Sequence, residues 1–185
     1  MLGGYDRGDA DRALHLYTRE FGLVVAQVKS IRTGRSKLRY ALQTFSLADI
    51  DLIRGRNGWK LTSARPKESF AALWSDAEKR KLLAQHVHLF RRLVQGEEIH
   101  AELFDGITSS FRFVSEGAHD EDTLRDIELL FVLRLLRALG YWGEKESDPP
   151  LLSWDEWSSE YLQWVKKDRS RLLAGVNAAL RDSQL

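Results

Sequence analysis

The first seventy residues carry a two-residue alternation of apolar and polar positions. Ala13-Leu14-His15-Leu16-Tyr17-Thr18 alternates and then meets a turn at Glu20-Phe21-Gly22. Leu23 to Ile31 follows, rich in valine, with Val24, Ala26 and Val28 on one face. The two segments predict a hairpin. Thr33 to Arg39 is polar and basic and predicts a loop. From Leu42 to Ile53 the alternation returns through Phe45, Leu47, Ile50 and Leu52, with Asp49 and Asp51 on the opposite face. Gly55-Arg56-Asn57-Gly58 is a strong turn signal, because Asn-Gly accepts the positive φ angles of a type I′ hairpin. Trp59 to Ala64 is the returning strand, and Pro66 is expected to end it. Several short strands joined by tight turns point to a small barrel.

Near Lys67-Glu68-Ser69 the period changes from two to 3.6. Ser69 caps an expected helix from Phe70 to Val94, and Gly96 stops it. A second helix is expected from Glu97 to Val114, with Ile99, Leu103, Ile107 and Phe111 spaced four apart. A third starts at Asp120 or Asp122 and runs to Leu139 before Gly140. It is apolar on most sides, as befits the centre of a bundle. After a linker at Ser147 to Pro150, Ser153 caps a fourth helix, broken near Asp168 or Gly175. The expected class is therefore α+β: an OB-fold-like barrel over residues 1–68, then an all-α bundle over 69–185.

Charge sharpens this division. Residues 1–70 hold 13 basic and 7 acidic side chains, while residues 71–185 hold 15 and 20. Between Phe21 and Lys67 the ratio is 10 to 2. A basic unit beside an acidic one points to a polyanion partner for the first. There is no cysteine, which excludes disulfides, thiolate zinc sites and a cysteine nucleophile. No signal peptide or membrane span is apparent, so a cytoplasmic protein without membrane attachment is expected.

Catalytic motifs are missing. Gly34-Arg35-Ser36-Lys37 lacks P-loop spacing, and no dinucleotide fingerprint or nucleophile elbow occurs. His86 and His88 fall on different faces of a helix, poor geometry for one metal. The acidic runs Glu97-Glu98 and Asp120-Glu121-Asp122 sit at helix starts, where the dipole accounts for them. The expectation is a non-enzyme without cofactor or metal.

What remains is the basic set. Lys29, Arg32, Arg35, Lys37 and Arg39 cluster on one strand end and its loop, and Arg54, Arg56 and Lys60 cluster around the Asn-Gly hairpin. Such residues neutralise phosphates and release counterions. Phe45 and Trp59 are either base-stacking residues or core, with core favoured. The stripe Trp154, Trp157, Tyr161, Trp164 reads as helix packing or a partner groove. Arg134 and Arg137 lie in the most apolar helix, where they either snorkel to solvent or pair with Glu128 or other acids, or else anchor an anion beside an apolar pocket.

Several phrases resemble the RecO family of recombination mediators. Gly8-Asp9-Ala10-Asp11-Arg12 with Tyr17-Thr18-Arg19-Glu20-Phe21-Gly22 is similar to that family's opening, and Val28-Lys29-Ser30-Ile31-Arg32 to its basic strand end. Ser36-Lys37-Leu38, Leu42-Gln43-Thr44-Phe45, Arg54-Gly55-Arg56 and Leu61-Thr62-Ser63-Ala64 continue the match. Leu133 to Leu139 with Gly140-Tyr141 extends it into the helical part. The resemblance implies an OB-fold and a helical domain that bind and anneal single- and double-stranded DNA. It also implies action with a RecR-like mediator to load the recombinase. It implies a pocket for the acidic, apolar tail of the single-stranded-DNA-binding protein, for which Arg134 and Arg137 are the candidates. The four-cysteine zinc module of many members has no counterpart, since Trp142 to Leu152 is short and lacks cysteine. Met1 to Asp6 leaves room only for a reduced first strand, or the true start lies upstream. An RNA-binding OB-fold protein and a protein-interaction adaptor without DNA binding stay open as alternatives.

Overall fold

A computed structural model describes residues 1–31, 38–143, 154 and 157–182. The chain divides into two compact units: Met1–Ala71 with Val94–Ala101, and Ala72–Leu93 with Glu102–Leu185.

The first unit is a five-stranded sheet in the order β1-β2-β3-β5-β4. Its strands are β1 (Gly4–Arg7), β2 (Asp11–Thr18), β3 (Gly22–Val28), β4 (Ser46–Gly55) and β5 (Gly58–Ser69), with a one-turn helix, α1 (Leu38–Ala41), before β4. The first strand is present and short, pairing Gly4 to Arg7 with Leu14 to Asp11. In the β2–β3 hairpin Leu14 faces Ala26 and Leu16 faces Val24, so the alternation in both strands points one apolar set inward. That set joins Trp59, Leu61 and Val28 in a single core, capped by Ile31, Ala41 and Leu42. Each fully buried aliphatic side chain contributes roughly 1.5–3 kcal/mol of transfer free energy.

The sheet is not a closed barrel. Its edge strands approach each other at Met1, whose carbonyl accepts from the Phe45 N–H at 3.0 Å and whose amine donates to the Ser46 carbonyl at 2.6 Å.

Three local expectations are corrected. The β4–β5 turn places positive φ on Gly58 (95°) and not on Asn57, so it is not type I′. Pro66 does not end β5, which runs on to Ser69. Pro66 sits opposite Ala48 at a register shift, the kind of strand irregularity in which a residue without an N–H is tolerated. Phe45 is not in a strand. It occupies the turn before β4 at φ 63° with its ring buried.

A 3₁₀ turn, Ala71–Trp74, leads to the second unit, built from α2 (Ala77–Leu93), α3 (Ala101–Glu116), α4 (Glu121–Ala138) and α5 (Ser159–Asp182). The first helix thus starts later than expected, at Asp76, whose carboxylate accepts from the N–H groups of Glu78 and Lys79. The second starts four residues later than expected, at Ala101. Asp120 caps α4 through the Thr123 N–H at 2.8 Å. Beyond α4, the N–H of Tyr141 returns to the Leu136 carbonyl. As its pattern predicts, α4 is central: Ile127, Leu130, Phe131, Leu133, Leu135 and Leu136 are wholly buried. The last helix begins at Ser159, leaving Trp154 and Trp157 ahead of it, and it kinks at Asp168. The expected cap Ser153 and the linker 147–150 lie outside the described residues. No helix among the described residues is long and apolar enough to cross a membrane.

Polar groups inside this unit are few and specific. The guanidinium of Arg169 holds Asp126 Oδ1 through Nε (2.9 Å) and Nη2 (2.6 Å), tying α5 to α4 one residue past the kink. His86 stacks on Phe131 with ring centroids 3.9 Å apart, and its Nδ1 lies 3.5 Å from Ser110 Oγ. Burial lowers its pKa to about 3.

Burial therefore keeps His86 neutral in the folded state while the unfolded chain titrates near the ordinary value. The unfolded state binds the extra proton, so this contribution is intact above about pH 6.5 and lost as pH falls from there towards 3, by about 1.4 kcal/mol per unit. Urea unfolding followed by helical circular dichroism between these limits is expected to show that slope. The variant His86→Phe, which keeps a ring against Phe131, is expected to flatten it. An unchanged slope in the variant would assign the acid sensitivity elsewhere.

Candidate nucleic-acid interface

The pleat sends neighbouring residues of β5 to opposite faces of the sheet. Trp59 points into the core beside Ala26, and Lys60 points out beside Gln27. Across β4, Trp59 faces Arg54 and Lys60 faces Ile53. The basic hairpin that looks like one cluster in sequence is thereby split. Arg54 lies on the Trp59 side, Lys60 on the outer side, and Arg56 at the exposed tip.

The outer face carries a row that crosses all five strands: Tyr5, Ala13, Gln27, Lys60 and Ile53. Tyr5 and Ile53 are more than half exposed. His15 pairs with Val25 in the next row, and its ring sits 5.9 Å from that of Tyr5. Gln27 Nε2 donates to the Asn57 carbonyl at 3.2 Å, which bridges β3 to the hairpin tip. An exposed aromatic, two aliphatics and a lysine on one sheet face can stack unpaired bases and hold a phosphate. Sequence reasoning missed Tyr5, His15, Val25, Gln27 and Ile53 as a set. Their only signal is parity, which becomes a face once the pairing of all five strands is known.

Of the predicted basic residues, Lys29 is exposed in the turn after β3, and Arg39 is exposed on α1. Lys29, Arg39, Arg56 and Lys60 have no carboxylate partner among the described residues. Arg32, Arg35 and Lys37 lie outside the described residues. Arg54 is exposed but paired: Nη1 donates to Glu97 Oε2, while the guanidinium lies 5.2 Å over the Trp59 ring. Trp59 Nε1 donates to Glu97 Oε1 at 2.9 Å. These hydrogen bonds, the indole's first, hold the Glu97 carboxyl below the usual carboxylate range.

Glu97 arrives on a strap, residues 94–101, that belongs to this unit. The strap bonds where β3 leaves its neighbour β5: the Leu23 N–H donates to the Gly96 carbonyl at 3.1 Å. Tyr17 Oη donates to the His100 carbonyl at 3.2 Å, and burial pushes its pKa up to about 12. Gly22, at φ 64°, is required here because a Cβ would overlap the Glu98 carbonyl.

In the helical unit, Arg134 does not reach solvent. It is wholly buried, its guanidinium 4.7 Å from the Trp157 ring centroid and 5.4 Å from that of Tyr161. Trp157 Nε1 donates to Ser109 Oγ, and Trp154 meets Phe131 edge-on, so both indoles serve packing. Arg137 is half-buried near the end of α4. Among the described residues no three His, Asp or Glu side chains converge as metal ligands.

Residues 1–70 match the family described as recombination protein O, N terminal. The chain is 35% identical over 144 residues to the DNA repair protein RecO of Heliobacterium modesticaldum, covering 78% of this chain and 50% of that protein. It is 30% identical over 141 residues to that of Desulfitobacterium hafniense (76% and 50%), and 29% identical to that of Clostridium novyi (76% and 54%). The chain spans about half the length of the curated relatives it matches. These matches bear out the resemblance carried by the sequence motifs.

Trp59 is 8% exposed and belongs to the core, as favoured from sequence. Trp59→Ala is expected to lower the stability of the first unit by about 3–5 kcal/mol in denaturant unfolding. A loss below about 1 kcal/mol would return Trp59 to the role of a surface platform.

Proposed function

We propose that this chain, related to the RecO proteins through its N-terminal domain and most of its helical part, is a DNA-binding recombination mediator in DNA repair. The reading is a non-enzymatic one. The barrel-type unit captures single- and double-stranded DNA by its backbone, single strands are annealed, and the recombinase is helped onto them. A RecR-like mediator and the acidic tail of the single-stranded-DNA-binding protein are the protein partners. Arg137, with access to solvent, is the better placed of the two arginines for that tail.

One observation carries the DNA reading. Lys29, Arg39, Arg56 and Lys60 stand exposed, without a carboxylate partner among the described residues, on a unit that matches the RecO N-terminal domain. Arg32, Arg35 and Lys37 add to them by sequence. Cations without carboxylate partners keep their full attraction for phosphate and release counterions on binding. The aromatic and aliphatic row beside Lys60 adds a surface for unpaired bases.

Fluorescence anisotropy with labelled oligo(dT) and a duplex of equal length, from about 50 to about 200 mM salt, tests this. Binding is expected to weaken steeply with salt. The triple charge reversal Lys29→Glu, Arg56→Glu, Lys60→Glu is expected to make the single-strand slope shallower by about 2, at about 0.7 per phosphate contact. Absence of binding at low salt, or binding indifferent to salt, would remove the proposal. Preference for RNA in competition would move it to the RNA-binding alternative.

A further inference from the structure

We propose that Arg54 and the indole N–H of Trp59 form a phosphate-binding site, that the chain fills it with the Glu97 carboxylate, and that a phosphodiester of single-stranded nucleic acid displaces Glu97. This rests on the DNA-binding reading above and names a site within it.

The two donors converge on one carboxylate, the guanidinium on Oε2 and the indole on Oε1. A carboxylate and a phosphodiester offer such donors the same thing, two anionic oxygens sharing one negative charge. Both also suit a guanidinium already stacked on an indole. Glu97 is therefore shaped as an internal stand-in for phosphate.

The occupant is free to leave. The Arg54 side chain is 63% exposed and that of Glu97 39%. An exposed pair of this kind holds weakly because water solvates both partners once they part. The strap does not depend on it either, since main-chain groups anchor it at Leu23–Gly96 and Tyr17–His100. Glu97 can swing out by side-chain rotation while the backbone stays in place. Trp59 Nε1 then needs another acceptor, which a phosphate oxygen supplies and an apolar ligand does not.

The surroundings favour nucleic acid over an acidic peptide. Arg56, exposed and without a carboxylate partner among the described residues, lies two residues from Arg54 on the same hairpin, so a chain of phosphates meets a second cation at the tip. Phe21, 42% exposed, packs against Trp59 with ring centroids 4.8 Å apart. That leaves a partly open aromatic face beside the phosphate donors, the pairing that a nucleotide with an unstacked base requires.

The test uses the full chain and labelled oligo(dT) over a salt series. Glu97→Gln keeps an acceptor for the indole and removes the charge. It is expected to bind several-fold tighter at low salt, with a salt slope steeper by about 0.7, one extra phosphate contact. In an Arg54→Ala background the same substitution is expected to lose most of that gain. The Trp59 indole N–H resonance reports that each variant is folded, and it is expected to shift on adding oligo(dT). If Glu97→Gln leaves affinity and slope unchanged, or its gain persists in full without Arg54, the site is overturned. If a glutamate-rich peptide displaces oligo(dT) and moves the indole resonance while oligo(dT) alone does not, the ligand assignment is overturned. Failure of the wild-type chain to bind oligo(dT) at any salt is a different result, and it counts against the DNA-binding reading itself.

Discussion

Two residue pairs join the hairpins of the N-terminal unit: Ala26 beside Trp59 and Gln27 beside Lys60. The β2–β3 and β4–β5 hairpins are each antiparallel ladders, the second interrupted by two register shifts, and this short parallel contact makes them one sheet. It also sets the phase of β5 against β3. A slip of one residue would put Lys60 into the apolar core and Trp59 into water. Burial of Trp59 beside Ala26, Leu61 and Val24 penalises that slip, so the outward position of Lys60 follows from the inward position of its neighbour. The basic surface is thus held in place by the core, residue by residue.

The strap at residues 94–101 deals with the other consequence of so short a contact. Beyond Ala26 the edge of β3 towards its N-terminus has no partner in β5, and an open edge leaves N–H groups without acceptors. Gly96 supplies one to Leu23, and the same turn of chain brings Glu97 to Trp59 and Arg54. A device that satisfies the sheet edge thereby carries a carboxylate into the basic hairpin. In the helical unit, burial makes similar demands. Arg134 is accommodated on the faces of Trp157 and Tyr161, and Asp126 by Arg169, so charges inside α4 and against it are met by aromatic faces or by opposite charge.

Much of the fold was legible because local chemistry and tertiary context agree. The apolar centre of α4 and the stop before Gly140 are present as read, and of the alternatives left open by the sequence the structure has Asp120 rather than Asp122 as the cap and Asp168 rather than Gly175 as the break. Where they disagree, the reading failed. Glu97 to His100 has helical period with Leu103, but the Gly96 and His100 carbonyls on either side of it are bonded to the sheet, and Ile99 is left exposed. Pro66 is a strand breaker by its own chemistry, yet a register shift beside Ala48 accepts it. Trp154 and Trp157 keep helix spacing with Tyr161, while their indoles pack ahead of the helix on Phe131 and Ser109. The basic residues were identified by type. Their division between two faces, and the neutralisation of Arg54, were not.

The sequence by itself determined which segments alternate, which repeat at helical spacing, where the positive charge accumulates and which family the motifs resemble. Each of those properties is carried by residues near one another along the chain. The tertiary structure decided which basic side chains share a face, that Tyr5, Gln27, Lys60 and Ile53 form one row, and that Glu97 occupies the donors of Arg54 and Trp59. The physical reason is strand register and loop closure. Both bring together residues tens of positions apart, and the partner of a side chain across such a distance is set by how all the strands bury their apolar face at once.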